Sequence, residues 1–377
     1  MVKSGLKDIV ALRSGISYID GEKGILEYRG YDIRELVRYS TYEEVVFLLW
    51  YGYLPEKKEL EKFSLDLARR RKLPPEIIEL LYTLPKITHP TVVLRTAISY
   101  LGSLDKKLHL IDSEENLEKS KNLLAKIPTI IAYYQRIRKG KDLVSPNENF
   151  THAENFLYML RGQKFEKIES EALEVDLILH AEHGLNPSTF SSRISASTLS
   201  DMYAGVVSAT GTLFGVLHGG ASQAVIKMLR EIKLLKERKE ESIDDWVGGK
   251  FQDKEKIMGF GHRVYKAEDP RAKELKIIAA ELDEIKGNQW TALGGELVEA
   301  VQKRKNLYPN VDFYTAAVYV NLGIPDDLFI NIFVAGRIAG WVAHIMEQYK
   351  DNKVIRPIHE YIGEKNKIYP REKSPRK

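Results

Sequence analysis

Apolar residues recur at three- and four-residue spacing almost from one end of this chain to the other, and alternation at spacing two is confined to one short stretch near the N-terminus. That pattern commits the chain to helices. Residues 41–51 (TYEEVVFLLWY) open on a threonine suited to cap a helix, continue with two acids and then set their apolar positions on one broad face, until Gly52 and Pro55 stop them. The same reading predicts helices over 58–71, 75–83, 91–103, 114–138, 152–161, 169–183, 191–217, 221–240, 272–285, 293–306, 312–321 and 327–350. Strand signals are limited to 17–20 and 25–28, which flank Gly21 and Gly24 and predict one small hairpin. The expected fold class is all-α, its helices joined by turns marked by Pro or Gly, with no internal repeat.

Composition removes several classes of function. The chain of 377 residues has no cysteine, which excludes disulfides, thiolate nucleophiles, iron–sulfur clusters and cysteine-ligated zinc together. Its 57 Lys and Arg against 53 Asp and Glu leave a net charge of +4, too small and too evenly spread for nucleic acid to be the main partner, though compatible with a small anionic ligand. The N-terminus lacks the apolar core of a secretory signal, so a cytoplasmic location is expected. Residues 202–226 carry no Lys, Arg, Asp or Glu and include Gly211 and Gly215 four apart, but Ser208, Thr210, Thr212 and the His218-Gly219-Gly220 break speak for a buried soluble helix with a small-residue face rather than a membrane span. Residues 227–311 are richer in charge than the apolar helices at 202–226 and 327–346. They read as a smaller domain inserted into a larger one, with a cleft between the two as the place for a ligand.

Five places hold chemistry-bearing residues in unusual company. His180 and His183 end an apolar helix three residues apart, a spacing that raises a metal pair; it lacks the H-E-x-x-H arrangement and a third ligand, and the other reading is two histidines satisfying terminal carbonyls. His218 follows a long uncharged run and precedes a new helix, whose N-terminal partial charge disfavours imidazolium; it is either a neutral hydrogen-bond donor or a buried histidine bonded to a carbonyl. Residues 259–271 (GFGHRVYKAEDPR) combine two glycines with His262, Arg263, Lys266 and Arg271, matching neither a Walker A loop nor G-x-G-x-x-G. They form either a grip for an anion or a solvated basic turn. Asp312 opens an apolar helix and is either its cap or a carboxylate kept ionised by the helix start and able to act as a base. Arg337 sits in an apolar helix whose nearest acids are Asp327 and Glu347, with none three or four residues away. Burying it unpaired costs several kcal/mol, so another part of the fold or a ligand must supply the anion.

Taken in order, LHGGA at 217–221, GFGHRVYKAEDPR, PNVDFYTA at 309–316 and VAGRIAGWVAH at 334–344, preceded by YRGYDI at 28–33 and HAEHGLNPSTFSSR at 180–193, resemble the citrate synthase family over nearly the whole chain. The resemblance implies an all-α homodimer whose large domain, 1–218 with 319–377, is formed by both ends of the chain and whose small domain, 219–318, closes over the active-site cleft. It implies condensation of acetyl-CoA with oxaloacetate and hydrolysis of the citryl thioester to citrate and CoA, with acetyl-CoA as cosubstrate, no permanently bound cofactor and no metal. By motif, Asp312 would take a methyl proton from acetyl-CoA, His218 would donate to the thioester oxygen, and His262 would polarise and protonate the oxaloacetate carbonyl. His183, Arg271 and Arg337 would bind carboxylates, Arg356 would reach the partner subunit's site, and Lys266 would meet a CoA phosphate. Ser222, Gln223, Thr315 and Ala316 depart from the usual pattern without touching these groups. The family includes 2-methylcitrate synthases acting on propionyl-CoA, which leaves dual acyl specificity open. A metal-dependent hydrolase using His180 and His183, or a helical scaffold without catalysis, are the readings from other classes. High charge without cysteine leans toward a hot habitat.

Overall fold

In the computed structural model the described residues are 4–6 and 9–367. The predicted hairpin is present as β1 (Ser17–Asp20) and β2 (Ile25–Tyr28), antiparallel with Ser17 opposite Tyr28 and Asp20 opposite Ile25. A third strand, β3 (Tyr31–Asp32), pairs with β2 across a turn in which Arg29 and Gly30 both have positive φ. Two residues are too few to show alternation, so β3 left no readable signal.

Sixteen α-helices carry the rest of the described chain. They begin with α1 (Ile33–Tyr39), α2 (Tyr42–Tyr51), α3 (Lys57–Arg69), α4 (Pro75–Thr83), α5 (Pro90–Ser103), α6 (Ser113–Arg138), α7 (His152–Arg161) and α8 (Lys167–His180). They continue with α9 (Pro187–Ser197), α10 (Met202–Leu213), α11 (Ala221–Arg238), α12 (Ile243–Gln252), α13 (Pro270–Lys286), α14 (Trp290–Gln302), α15 (Val311–Asn321) and α16 (Phe329–Lys350). Thr41 caps α2 as its sequence suggests, Oγ1 accepting from Glu44 N–H, and Gly52 ends it at φ 87°.

Besides β3, three helical regions differ from the sequence reading. The single helix expected over 191–217 is two: Leu199 takes φ 59°, and Asp201 starts α10 by accepting from Ala204 N–H. The uncharged run 202–226 is therefore α10, a turn at 214–220 and the first residues of α11. Its tight glycine is Gly205, where a Cβ would lie 2.8 Å from Ile345 Cδ1, whereas one on Gly211 would meet only Arg95, at 3.5 Å. Two helices were missed: α1 has only seven residues, and α12 holds Gly248 and Gly249, which weaken its pattern.

At the centre lies α16, packed by α2, α5, α6, α8, α9 and α10. With the short 3-10 turn before it, this segment is long and apolar enough to cross a membrane, yet its most apolar stretch is wholly buried inside the protein. Trp341 and Arg337 are among its largest enclosed side chains. The end of α8 and the starts of α13 and α15 meet one another beside it, while α11 and α14 pack against α15. These helix ends position the site.

Candidate active site

The loop before α13 is bent by two glycines, the first of which has no room for a side chain. Gly259 and Gly261 have φ of 81° and 76°, and a Cβ on Gly259 would lie 2.7 Å from Val225 and 2.8 Å from Phe313. Residues 259–261 are tied to the segment entering α15: Gly261 N–H donates to Tyr308 O (2.9 Å), Asn310 N–H to Gly259 O (2.8 Å) and Asn310 Nδ2 to Gly261 O (2.9 Å). This tie brings His262 and Asp312, fifty residues apart in the chain, to one place.

His262 Nδ1 accepts from the backbone N–H groups of Val264 (3.0 Å) and Tyr265 (3.2 Å). A backbone amide can only donate, so the ring proton sits on Nε2. Burial, then the Arg271 guanidinium, lowers the His262 pKa to about 4, which leaves a neutral Nε2–H donor at physiological pH. His183 Nε2 lies 3.1 Å from the Tyr265 hydroxyl, and its ring is 5.2 Å from that of His262. Burial and Arg271 push its pKa well below the usual range.

Arg271 is already paired within its own chain. Its Nε and Nη2 bond both carboxylate oxygens of Asp269 at 3.0 and 2.7 Å, which leaves Nη1 without a partner among the described residues. Burial opposes both charges, but the pairing prevails, raising Arg271 and lowering Asp269. Asp269 also accepts from Arg271 N–H at the start of α13 and from Val311 N–H at the start of α15, so one carboxylate holds two helix ends.

Arg337 is the contrast. Its Nε donates to His180 O and its guanidinium lies 4.8 Å from the Phe333 ring centre, with no carboxylate at ion-pair distance among the described residues. Burial lowers its pKa to about 10 against the pull of Glu182, and Arg271 adds to the fall. Two buried guanidinium groups thus repel each other, and only Arg271 has a carboxylate at ion-pair distance among the described residues, Arg337 feeling Glu182 from further off.

Asn310, not Asp312, caps α15, its Oδ1 accepting from Asp312 N–H at 3.1 Å. The Asp312 side chain is therefore released from capping, and its Oδ1 is buried without a hydrogen-bond partner among the described residues. Burial pushes its pKa up to about 6, partly offset by His180 and Arg271. Burial thus outweighs the helix start, yet the group is still mostly ionised above neutral pH. His218 lies in the turn ahead of α11, where Ser188 N–H points at its Nε2 from 3.4 Å. Nε2 is accordingly an acceptor and Nδ1 carries the proton. Ser188 Oγ, 2.9 Å from the same nitrogen, receives Trp341 Nε1–H at 3.2 Å and holds the ring in place. Burial, then Arg337, lowers the His218 pKa to about 4.

Six of the expected site residues thus share one neighbourhood. His183, His262 and Arg271 are joined through Tyr265 and Asp269, and the field of Arg337 reaches His183, His218 and Asp312. Two lie apart. Arg356 is exposed in the extended segment after α16, where Ile355 N–H donates to Ser197 Oγ, and it bonds none of the six within its own chain. Lys266 is exposed and ion-paired to Glu22, a carboxylate that competes with any phosphate there. His180 turns its Nδ1 to Asp176, 2.9 Å from the carbonyl, and among the described residues no three His, Cys, Asp or Glu side chains gather as metal ligands. Tyr265, Asp269, Ser188 and Trp341 were missed as site residues; only Asp269 had a signal, as a cap before Pro270. A cavity of about 360 Å³ is lined by Gly261, His262, Tyr265, Lys266 and Asp269. A larger one, about 620 Å³, opens among Trp50, Asn116 and Lys350 and touches none of the candidate residues.

Residues 5–358 match the family described as citrate synthase, C-terminal domain. Citrate synthase 2 of Bacillus subtilis is 46% identical over 370 residues, 97% of each chain, and 2-methylcitrate synthase 2 of Corynebacterium glutamicum is 38% identical over 99% of this chain and 98% of its own. The structure also resembles, with a TM-score of 0.91 and 30% identity over 98% of each chain, a citrate synthase of Thermoplasma acidophilum solved as a ternary complex with carboxymethyl coenzyme A and oxaloacetate.

Proposed function

Because this chain belongs to the citrate synthase family, we propose that the residues gathered around Arg337 carry its reaction. The activity is that of a citrate synthase, an acyl-transferring enzyme condensing acetyl-CoA with oxaloacetate. Propionyl-CoA is not the better supported donor, since citrate synthases reach the higher identity.

The observation that carries the assignment is a buried carboxylate, Asp312, whose Oδ1 has no hydrogen-bond partner among the described residues, in the field of a buried guanidinium, Arg337, that has no carboxylate at ion-pair distance among them. Asp312 takes a methyl proton from acetyl-CoA while the Nδ1–H of His218 bonds the thioester oxygen on which charge develops, a donor effect worth about 3 kcal/mol. The enolate carbon then attacks the oxaloacetate carbonyl as the thioester C=O re-forms, and the π electrons of the attacked carbonyl move to its oxygen, which takes the Nε2 proton of His262. Water cleaves the resulting citryl thioester and CoA leaves as the thiol. Arg337, the free Nη1 of Arg271 and His183 hold the carboxylates of oxaloacetate, and that dianion supplies the charge Arg337 lacks. No resident cofactor or metal enters this scheme. Lys266 stays a minor candidate for a CoA phosphate, in competition with Glu22.

The proposal extends to architecture. The small domain runs from 219, in the turn before α11, and the expected return at 319 falls inside the unbroken α15, so the turn after Asn321 is the better end. The active form is a cytoplasmic homodimer, in which Arg356 enters the partner subunit's site. Exposed Val354 and Ile358 beside it, and the small-residue face of α10, support a partner surface. Release of CoA thiol with oxaloacetate and acetyl-CoA, compared with propionyl-CoA and run in chelator, tests the reaction; loss to chelator would restore a metal-dependent reading. Mixing inactive Arg356→Ala and Asp312→Asn subunits tests sharing: exchange regenerates one intact site per heterodimer, and no recovery despite proven exchange means Arg356 acts within its own chain.

A further inference from the structure

We infer that the β1–β2 turn is a strap that positions the His262 loop, with Gly21 as its positioning residue; the inference rests on the site reading above. The N–H groups of Lys266 and Ala267 both donate to Gly21 O, at 2.9 and 3.3 Å. The approach is backbone to backbone: a Cβ on Gly21 would lie 2.2 Å from Val264 O, and one on Gly24 would lie 2.7 Å from Glu268 O. Gly21 does not have a positive φ, so its own conformation would accept alanine and only the loop forbids it.

The other end of the same sheet is fixed to the neighbour of His183. Tyr28 OH donates to Glu182 O (2.8 Å) and Ser17 Oγ to Glu182 Oε1 (3.0 Å). The sheet therefore spans the segment that carries His183 and the loop that carries His262 and Tyr265. It sets their separation without touching either ring. A loop free to drift would carry His262 and Tyr265 away together, weakening oxaloacetate binding before anything else.

The test has two arms. In the wild type saturated with oxaloacetate, the amides of Lys266 and Ala267 exchange hydrogen slowly; exchange at the rate of an open loop overturns the strap, whatever any variant does. Gly21→Ala, with its thermal midpoint retained, loses about 10²-fold in kcat/KM for oxaloacetate, mostly through KM. Lys23→Ala, exposed in the same turn, keeps wild-type kinetics. Wild-type kcat/KM in folded Gly21→Ala overturns the inference. A fully active His262→Gln would instead overturn the site reading while leaving the amide protection intact, so the two failures are distinguishable.

Discussion

The two walls of the cleft are built on opposite principles. On the loop wall every group arrives with its partner: His262 with two backbone amides, His183 with Tyr265, Arg271 with Asp269. On the helix wall the decisive groups arrive alone, Asp312 with an unbonded oxygen and Arg337 with no carboxylate at ion-pair distance among the described residues. The first wall is preorganised by its own pairs, and the second is held in a costly state by the packing around α16 until a ligand completes it. Substitutions on the two walls should therefore differ in their effect on stability even where their effect on activity is alike.

The largest contrast is expected for Asp312→Asn. Condensation falls by three or more powers of ten, in the range of about 10²–10⁴ per acid–base group combined with loss of the orienting charge, while oxaloacetate binding survives. Stability moves the other way. The folded pKa of about 6 is above the unfolded value, so ionisation costs nothing below pH 4 and costs increasingly as the pH rises through 6. The variant is then more stable than wild type at pH 7–8 by roughly 1–3 kcal/mol, and the gap closes toward pH 4. Thermal midpoints across pH, with oxaloacetate titrations, check both halves; a variant less stable at pH 8 would contradict the unpaired state of Asp312.

Next are the two arginines. Both Arg337→Leu and Arg271→Leu raise the KM for oxaloacetate strongly, by about 10²-fold for loss of a charge-assisted pair. Arg271→Leu strands Asp269 and costs about 3–5 kcal/mol of stability, whereas Arg337→Leu breaks no ion pair among the described residues, trades the repulsion of Arg271 against the longer-range pull of Glu182, and costs much less. Denaturant unfolding of the two variants separates them. Equal destabilisation would erase the distinction between the walls.

How much of this was legible follows the range of the interactions. The hairpin and most helices are local patterns, and they stand where 17–28 and the apolar periodicity put them. Arg337 was legible because an apolar helix without an acid one turn away is a local fact as well. The Tyr265 to His183 bond joins positions 82 residues apart and left no trace in either neighbourhood. Arg271 and Asp269 are two residues apart, yet their pairing was not foreseen, because two such residues meet only when burial removes the water that would separate them. Burial also decided Asp312, where the helix start and desolvation oppose each other and only the fold says which prevails.

Acid titration sharpens the comparison at a smaller scale. With Asp312 near 6 and both His218 and His262 near 4, kcat/KM for acetyl-CoA rises tenfold per unit below about pH 6 and then levels, controlled by one group of the helix wall. The histidines are almost wholly neutral between about pH 5 and 6 and add a steeper fall only below about pH 4. An acid limb steeper than one proton at pH 6 would mean that a loop-wall histidine titrates there too, and that its partners do not keep it neutral.

The smallest effect is expected from Lys266→Ala, although it lies on the same loop as His262. Its ammonium is exposed and already engaged by Glu22, itself exposed, so any phosphate of CoA must displace a carboxylate to reach it. Exposed pairs of this kind are worth well under about 1 kcal/mol, and losing one side changes affinity by less than about fivefold. The variant should keep its oxaloacetate KM and raise the acetyl-CoA KM only slightly, more at low ionic strength than at high. Glu22→Gln should do the opposite, removing the competing carboxylate and lowering the acetyl-CoA KM if the lysine meets the phosphate at all. Initial rates with acetyl-CoA varied at two salt concentrations decide it: no change in either variant leaves Lys266 as a surface partner of the β1–β2 turn and takes CoA recognition away from this loop.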